Sequence, residues 1–227
     1  MASLQLDRNA RQCWDNEWRS KNFSTNFASE AISPGLVKGK DVAELFCGSL
    51  GYYNGYLDEA KSVTLVDVSR VALGMAQKNM DTLGAKLLRK AGLVNADAVS
   101  IPLRDESVDT VLMTEGPQFA GTRFIELFME AKRISRKHIG FATTHPENLK
   151  KYGAKTVDFD LCTLYQSETV GKKAAFSLEN IELLMSREYL DMKINSAAFF
   201  TMDYFHDGLR EDDRHVKARM YVELEKA

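Results

Sequence analysis

Residues 44–51 read Glu-Leu-Phe-Cys-Gly-Ser-Leu-Gly, so an acidic side chain closes an apolar run, and Gly48 and Gly51 free the backbone where a helix is expected to begin. A second apolar run, Ser-Val-Thr-Leu-Val-Asp-Val over 62–68, delivers Asp67 nineteen residues after Gly48. That is close to the ~20-residue spacing at which an acidic residue meets a ribose. A carboxylate suits this task because it accepts from both hydroxyls of the diol at once. The pattern therefore predicts an adenosine-type ligand. Phe46 stands where a dinucleotide turn needs its first glycine, and no Gly-Lys-Ser/Thr occurs, so a phosphate cradle is not expected.

Other residue types could also do chemistry. His145 follows an apolar run and precedes Pro146, where a strand end would turn it toward a pocket, so it is a candidate base. Glu115 is a second candidate base. Cys47 reads as a small buried filler rather than a nucleophile. His206, Asp207, Asp212, Asp213 and His215 have metal-compatible types at loose spacing, and an acidic surface turn accounts for them. No metal site is predicted.

The elements that must position these groups follow from periodicity. Ala10, Trp14 and Trp18 recur along one stripe and predict a helix over 6–20; Ser33-Pro34-Gly35 then breaks the pattern. Strands are expected at 42–46, 62–68, 92–99, 108–114 and 138–144. Helices are expected at 51–60, from Ser69 (a plausible N-cap) to about Thr82, and over the stripe Phe124, Leu127, Phe128, Ala131 and Ile134. Strands alternating with helices imply right-handed crossovers and a parallel sheet covered on both faces. Residues 156–165 alternate as one further strand, 177–189 read as a helix capped by Ser177, and 192–205 with 217–225 predict an antiparallel hairpin at the sheet edge. The fold class is α/β: a doubly wound, mostly parallel seven-stranded sheet with an antiparallel edge hairpin. One domain over 1–227 is expected, with residues 1–35 as a helical cover and 145–176 as a lid or substrate segment.

Composition bounds the function. Across 227 residues, 30 Lys+Arg against 32 Asp+Glu give a net charge of −2, which argues against a dedicated nucleic-acid binder. An apolar content of 44% and a charged content of 27% are those of an ordinary globular protein. Three widely spaced cysteines fit a reducing compartment. There is neither an apolar run of membrane-spanning length nor a signal-peptide core, so a cytoplasmic protein without membrane partners is expected.

Taken in order, these segments resemble the class I S-adenosylmethionine-dependent methyltransferases. Val-Ala-Glu-Leu-Phe-Cys-Gly-Ser-Leu-Gly is similar to their glycine-rich first motif, with Phe46 and Leu50 where that motif has glycine. Val-Asp-Val-Ser is similar to the acidic second motif. The stretch Asn95 to Leu112 resembles the Gly-Asp-Ala…Leu-Pro…Phe-Asp signature, and Phe124 to Lys137 resembles the helix that follows it. The resemblance covers about residues 40–145.

It implies that Glu44 and the backbone around Phe46 and Gly48 face the methionine part of S-adenosylmethionine, with Gly51 also binding the cofactor. It also implies that Asp67 binds the ribose, Val68 packs on the adenine, and Asp97, with Ala98 beside it, meets the adenine amino group. Thr114 and Glu115 border the sulfonium. The implied activity is methyl transfer to an O, N or C atom of a small molecule. Tyr152, Phe159 and Tyr165 suggest an apolar or aromatic acceptor. A nucleic-acid or protein methyltransferase and a non-catalytic donor-binding subunit are the alternatives. The mouth sequence Glu-Gly-Pro-Gln-Phe lacks the Asn/Asp-Pro-Pro-aromatic motif of amino-directed nucleic-acid enzymes.

Overall fold

The structure is a computed structural model that describes residues 32–50, 55–83, 87, 89–114, 116–144, 146, 156–159, 162–167, 171–186, 190–204 and 215–226, together with Gln12, Asp15, Asn16 and Arg19. Its main sheet has seven strands. Five are parallel: β1 (Asp41–Leu45), β2 (Ser62–Asp67), β3 (Ala91–Asn95), β4 (Val108–Met113) and β5 (Ser135–Thr144). Three antiparallel strands, β6 (Thr156–Phe159), β7 (Cys162–Ser167) and β8 (Gly171–Ala175), form a separate sheet. The last two, β9 (Met192–Tyr204) and β10 (His215–Lys226), close the main sheet as an antiparallel edge. Its order is β3-β2-β1-β4-β5-β10-β9.

β1 is the middle one of the five parallel strands, and from Val42 to Leu45 every residue is buried, as expected where both faces are covered. Its side chains alternate between two cores. Ala43 and Leu45 join Val111, Met113, Phe124 and Phe128 on one face, and Val42 joins Leu65, Leu112, Ala76 and Met80 on the other. The first core is covered by helix α2 (Phe124–Ile134), whose expected stripe of Phe124, Leu127, Phe128, Ala131 and Ile134 is entirely buried. The second is covered by helix α1 (Arg70–Leu83), which buries Ala72, Leu73, Ala76 and Met80. Ser69 caps α1 as expected, its Oγ accepting from the Ala72 N–H at 3.1 Å.

Three expectations are corrected. The helix expected over 51–60 is turn at 55–59, where Gly55 takes φ 93 and breaks the helical path. The single strand expected over 156–165 reverses between Phe159 and Cys162, which pair across a hairpin. Facing partners share a face, so across this two-residue connection the face of Val157 and Phe159 passes to Cys162 and Leu164; Leu161 and Tyr165 prolong the odd-numbered apolar run in the sequence, which is why it reads as one strand. The helix expected over 177–189 is α3 (Leu178–Leu184), with Ser177 and Asn180 forming a reciprocal cap. Phe176, just before it, packs edge-on against Phe124 (5.2 Å between ring centroids) and Phe128 (6.3 Å), fastening the end of the small sheet to α2.

Candidate functional site

The strand order reverses between β1 and β4, so a crevice must open at their carboxyl ends. Glu44, one residue before the end of β1, is 2% exposed. Its Oε1 accepts from Thr114 Oγ1 at 2.6 Å, and its Oε2 accepts a short hydrogen bond from the Tyr56 hydroxyl. Burial pushes the Glu44 carboxyl up to about 7, against the opposing effect of these two donors. The same burial, with the neighbouring Glu44 charge, pushes the Tyr56 phenol well up. Nothing in the sequence pattern singled out Tyr56; its place in a turn packed on the β1 end brings it in.

Asp67 ends β2 and is 8% exposed. Its Oδ2 accepts from the Gly48 N–H at 2.9 Å and its Oδ1 from the Ser69 N–H at 2.8 Å. Burial raises its carboxyl to about 6; these N–H groups pull the other way and the charge of Asp15 adds to the rise. Each oxygen still has a lone pair for a further donor. Asp15, in the N-terminal helix, reaches across to accept from Ser69 Oγ at 2.5 Å and from the Val71 N–H at 3.3 Å. It supplies the negative charge that the first turn of α1 lacks. Of the helix expected over 6–20, Gln12, Asp15, Asn16 and Arg19 are helical, whereas Ala10, Trp14 and Trp18 lie outside the described residues.

Asp97 lies in the turn after β3. Its Oδ1 accepts from the Val99 N–H at 3.2 Å, and its Oδ2 pairs with Arg123 at 3.0 Å. Arg123 also pairs with Glu126. Val68 is half-buried and its carbonyl accepts from Asn95; Ala98 is 6% exposed and packs into the α2-side core. Glu44, Phe46, Gly48, Asp67 and Thr114 thus gather around one crevice, with Asp97 at its β3 side. Gly51, Glu115 and His145 lie outside the described residues, as do Tyr152 and all but His215 of the 206–215 cluster. No group of potential metal ligands occurs among the described residues.

The turn after β1 repeats one conformation. Phe46 (φ 60), Gly48 (φ 56) and Leu50 (φ 55) all lie in the left-handed region. The chain keeps a glycine-type path at two positions where it has no glycine, at about 1–2 kcal/mol of strain each. Cys47, between them, is buried, and burial pushes its thiol well up, which makes it inert as a nucleophile.

Residues 44–139, from the crevice carboxylate through β5, match the family model for a methyltransferase domain. The match spans a little under half of the chain, and over it the sequence is similar to a methyltransferase domain. The chain's fold is shared at low identity by many solved structures. A protein studied for the conversion of a disulfide bond into a thioacetal group during echinomycin biosynthesis is 16% identical, with a TM-score of 0.68 over 95% of this chain and 92% of that one. An S-adenosylmethionine-dependent methyltransferase from Anabaena variabilis is 15% identical, with a TM-score of 0.62 over 96% and 95%. A candidate RNA methyltransferase from Pyrococcus horikoshii is 18% identical, with a TM-score of 0.53 over 88% and 79%. No curated protein matches the sequence.

The crevice fits the donor of this methyltransferase family. S-adenosylmethionine carries a vicinal diol, an amino acid and a sulfonium but no phosphate. The crevice offers carboxylates, and it spends the Gly48 and Ser69 N–H groups on Asp67 instead of leaving them for an anion. No helix among the described residues is long and apolar enough to cross a membrane.

Proposed function

We propose that this methyltransferase acts on a small molecule admitted between the N-terminal segment 1–35 and the 145–176 excursion. Asp67 holds the ribose, Asp97 and Val68 hold the adenine, and Glu44 with Thr114 bounds the methionine end beside Phe46, Gly48 and Gly51. When bound, S-adenosylmethionine supplies an electrophilic methyl group. The protein contributes alignment of two molecules in a dry cleft, an effect worth up to roughly 7–11 kcal/mol. For an acceptor that carries a proton, Glu115 and His145 are the candidate bases, and a cytoplasmic setting goes with this reading.

One observation carries the choice of acceptor. Among the described residues, the arginines beside the crevice acids are already tied: Arg70 to Asn95, and Arg123 to Asp97 and Glu126. A phosphate backbone needs free cationic partners, and the crevice itself is lined by carboxylates. The described part of the excursion is an antiparallel sheet, whose strand β8 packs on the segment Pro117–Arg123 after β4, and this supports a walled pocket instead of an open track. The echinomycin-related neighbour, which concerns a small natural product, accords with it.

The test is incubation of cell extract with methyl-labelled donor, followed by mass spectrometry of the small-molecule fraction and scintillation counting of the RNA and protein fractions. Label in a small molecule is the expected result. Label confined to macromolecules, with salt-sensitive retention of the enzyme on RNA, would overturn the choice of acceptor.

A further inference from the structure

Phe46 and Gly116 form a matched pair at the switch point. A Cβ placed on Gly116 would lie 1.9 Å from Cδ2 of the Phe46 ring, 2.3 Å from Cγ and 2.7 Å from Cε2. An approach in the plane of the ring would leave both neighbours of Cδ2 farther away than this, so Gly116 lies under the face of the ring. Gly116 itself has φ 176, outside the left-handed region that favours glycine. Its lack of a side chain therefore answers the ring and not the backbone. The ring is held from the other side by its own strained φ of 60, and it stays only half-buried against the α2-side core. A bulky side chain in this conformation persists only where its surroundings over-determine it.

We propose that Phe46 is a specificity-determining wall of the donor site, one ring face bedded on Gly116 and the other set against the positive sulfonium. This rests on the donor-site reading given above. The ring follows Glu44 and Leu45 directly and sits between the carboxyl ends of β1 and β4, where the Glu44–Thr114 contact joins the two strands. The face of an aromatic ring is the negative end of its quadrupole and attracts a cation most strongly where water is excluded. A glycine at this position leaves only space. The phenyl ring distinguishes the charged donor from the neutral thioether that remains after methyl transfer, favouring loading of the first and release of the second.

The discriminating measurement is the ratio of two affinities by calorimetry, because S-adenosylmethionine carries the sulfonium charge and S-adenosylhomocysteine does not. Phe46→Leu retains apolar bulk and removes the π face. It should weaken S-adenosylmethionine binding by about three- to thirtyfold and leave S-adenosylhomocysteine within about twofold. Should Phe46→Leu fail to fold, pentafluorophenylalanine at the same position keeps the shape, inverts the quadrupole and should move the ratio in the same direction. Equal weakening of both ligands, or no change in either, would overturn the proposal and leave the ring as packing. Failure of the wild-type chain to bind either ligand would instead sink the donor-site reading itself.

Discussion

The Gly48 N–H donates to Asp67 Oδ2 at 2.9 Å, so the glycine turn after β1 and the acid at the end of β2 are one hydrogen-bonded unit. With Ser69 N–H on the other oxygen at 2.8 Å, the carboxylate is aimed before any ligand arrives. Asp67→Asn keeps the shape and loses the charge. It should weaken S-adenosylhomocysteine binding by about ten- to a hundredfold in a calorimetric titration. Asp67→Ala should in addition lower stability by about 1–3 kcal/mol, because it strands two buried N–H groups. Unchanged affinity in Asp67→Asn would remove Asp67 from the site.

Glu44 gives the protein a pH dependence of known sign. Its ordinary value is 4.5 and its folded value about 7, so the folded state holds the proton more tightly than the unfolded chain does. The contribution is fully present below 4.5 and is lost as pH rises through about 7. Relative to Glu44→Gln, which does not titrate, the wild type should lose about 3 kcal/mol of stability between about pH 4 and pH 8. Urea titrations of both proteins across this range measure it; a constant difference would mean that Glu44 titrates normally.

The Phe46–Gly116 packing predicts a non-additive pair. Gly116→Ala should cost about 1–3 kcal/mol in the wild type, where the new Cβ meets the ring, and close to nothing in a Phe46→Gly background. A double-mutant cycle by chemical denaturation reads the coupling directly. Equal costs in both backgrounds would show that the ring moves aside freely.

Asp15 ties the N-terminal helix to the start of α1. Asp15→Ala should lower stability by about 0.5–2 kcal/mol through loss of the contacts to Ser69 and Val71, and Asp15→Asn, which keeps an accepting oxygen, should lower it by less. Removing this charge should also let Asp67 ionise at lower pH, since like charge contributes to its rise. Thermal melts compare the stabilities, and NMR titration of Asp67 reads the shift.

The five parallel strands, the edge hairpin and the α2 stripe were legible because each is a local period: apolar runs between breakers for buried strands, apolar residues every three to four positions for Phe124–Ile134. The small sheet was half-legible. Its alternation showed a strand, but Leu161 and Tyr165 prolong the odd-numbered apolar run of Val157 and Phe159, which hides the change of parity at the reversal between Phe159 and Cys162. From Gly55 on, the helix expected at 51–60 was misread because apolar and aromatic residues there suit a helix, whereas Gly55 and the seating of Tyr56 on Glu44 depend on what packs around them.

By itself the sequence placed Glu44 and Asp67 at the ends of two neighbouring strands and Asp97 just past a third, since order and spacing along a doubly wound chain dictate which residues come at each strand end. Only the tertiary structure decided how those carboxylates are held: Tyr56 and Thr114 on one, Gly48 and Ser69 on another with Asp15 close by, Arg123 on the third. Apart from Ser69, these partners come from other segments of the chain, and contacts of that kind arise from packing that no local pattern encodes. The same holds for Phe46, which reads in one dimension as a lost glycine and in three as a ring fitted to Gly116.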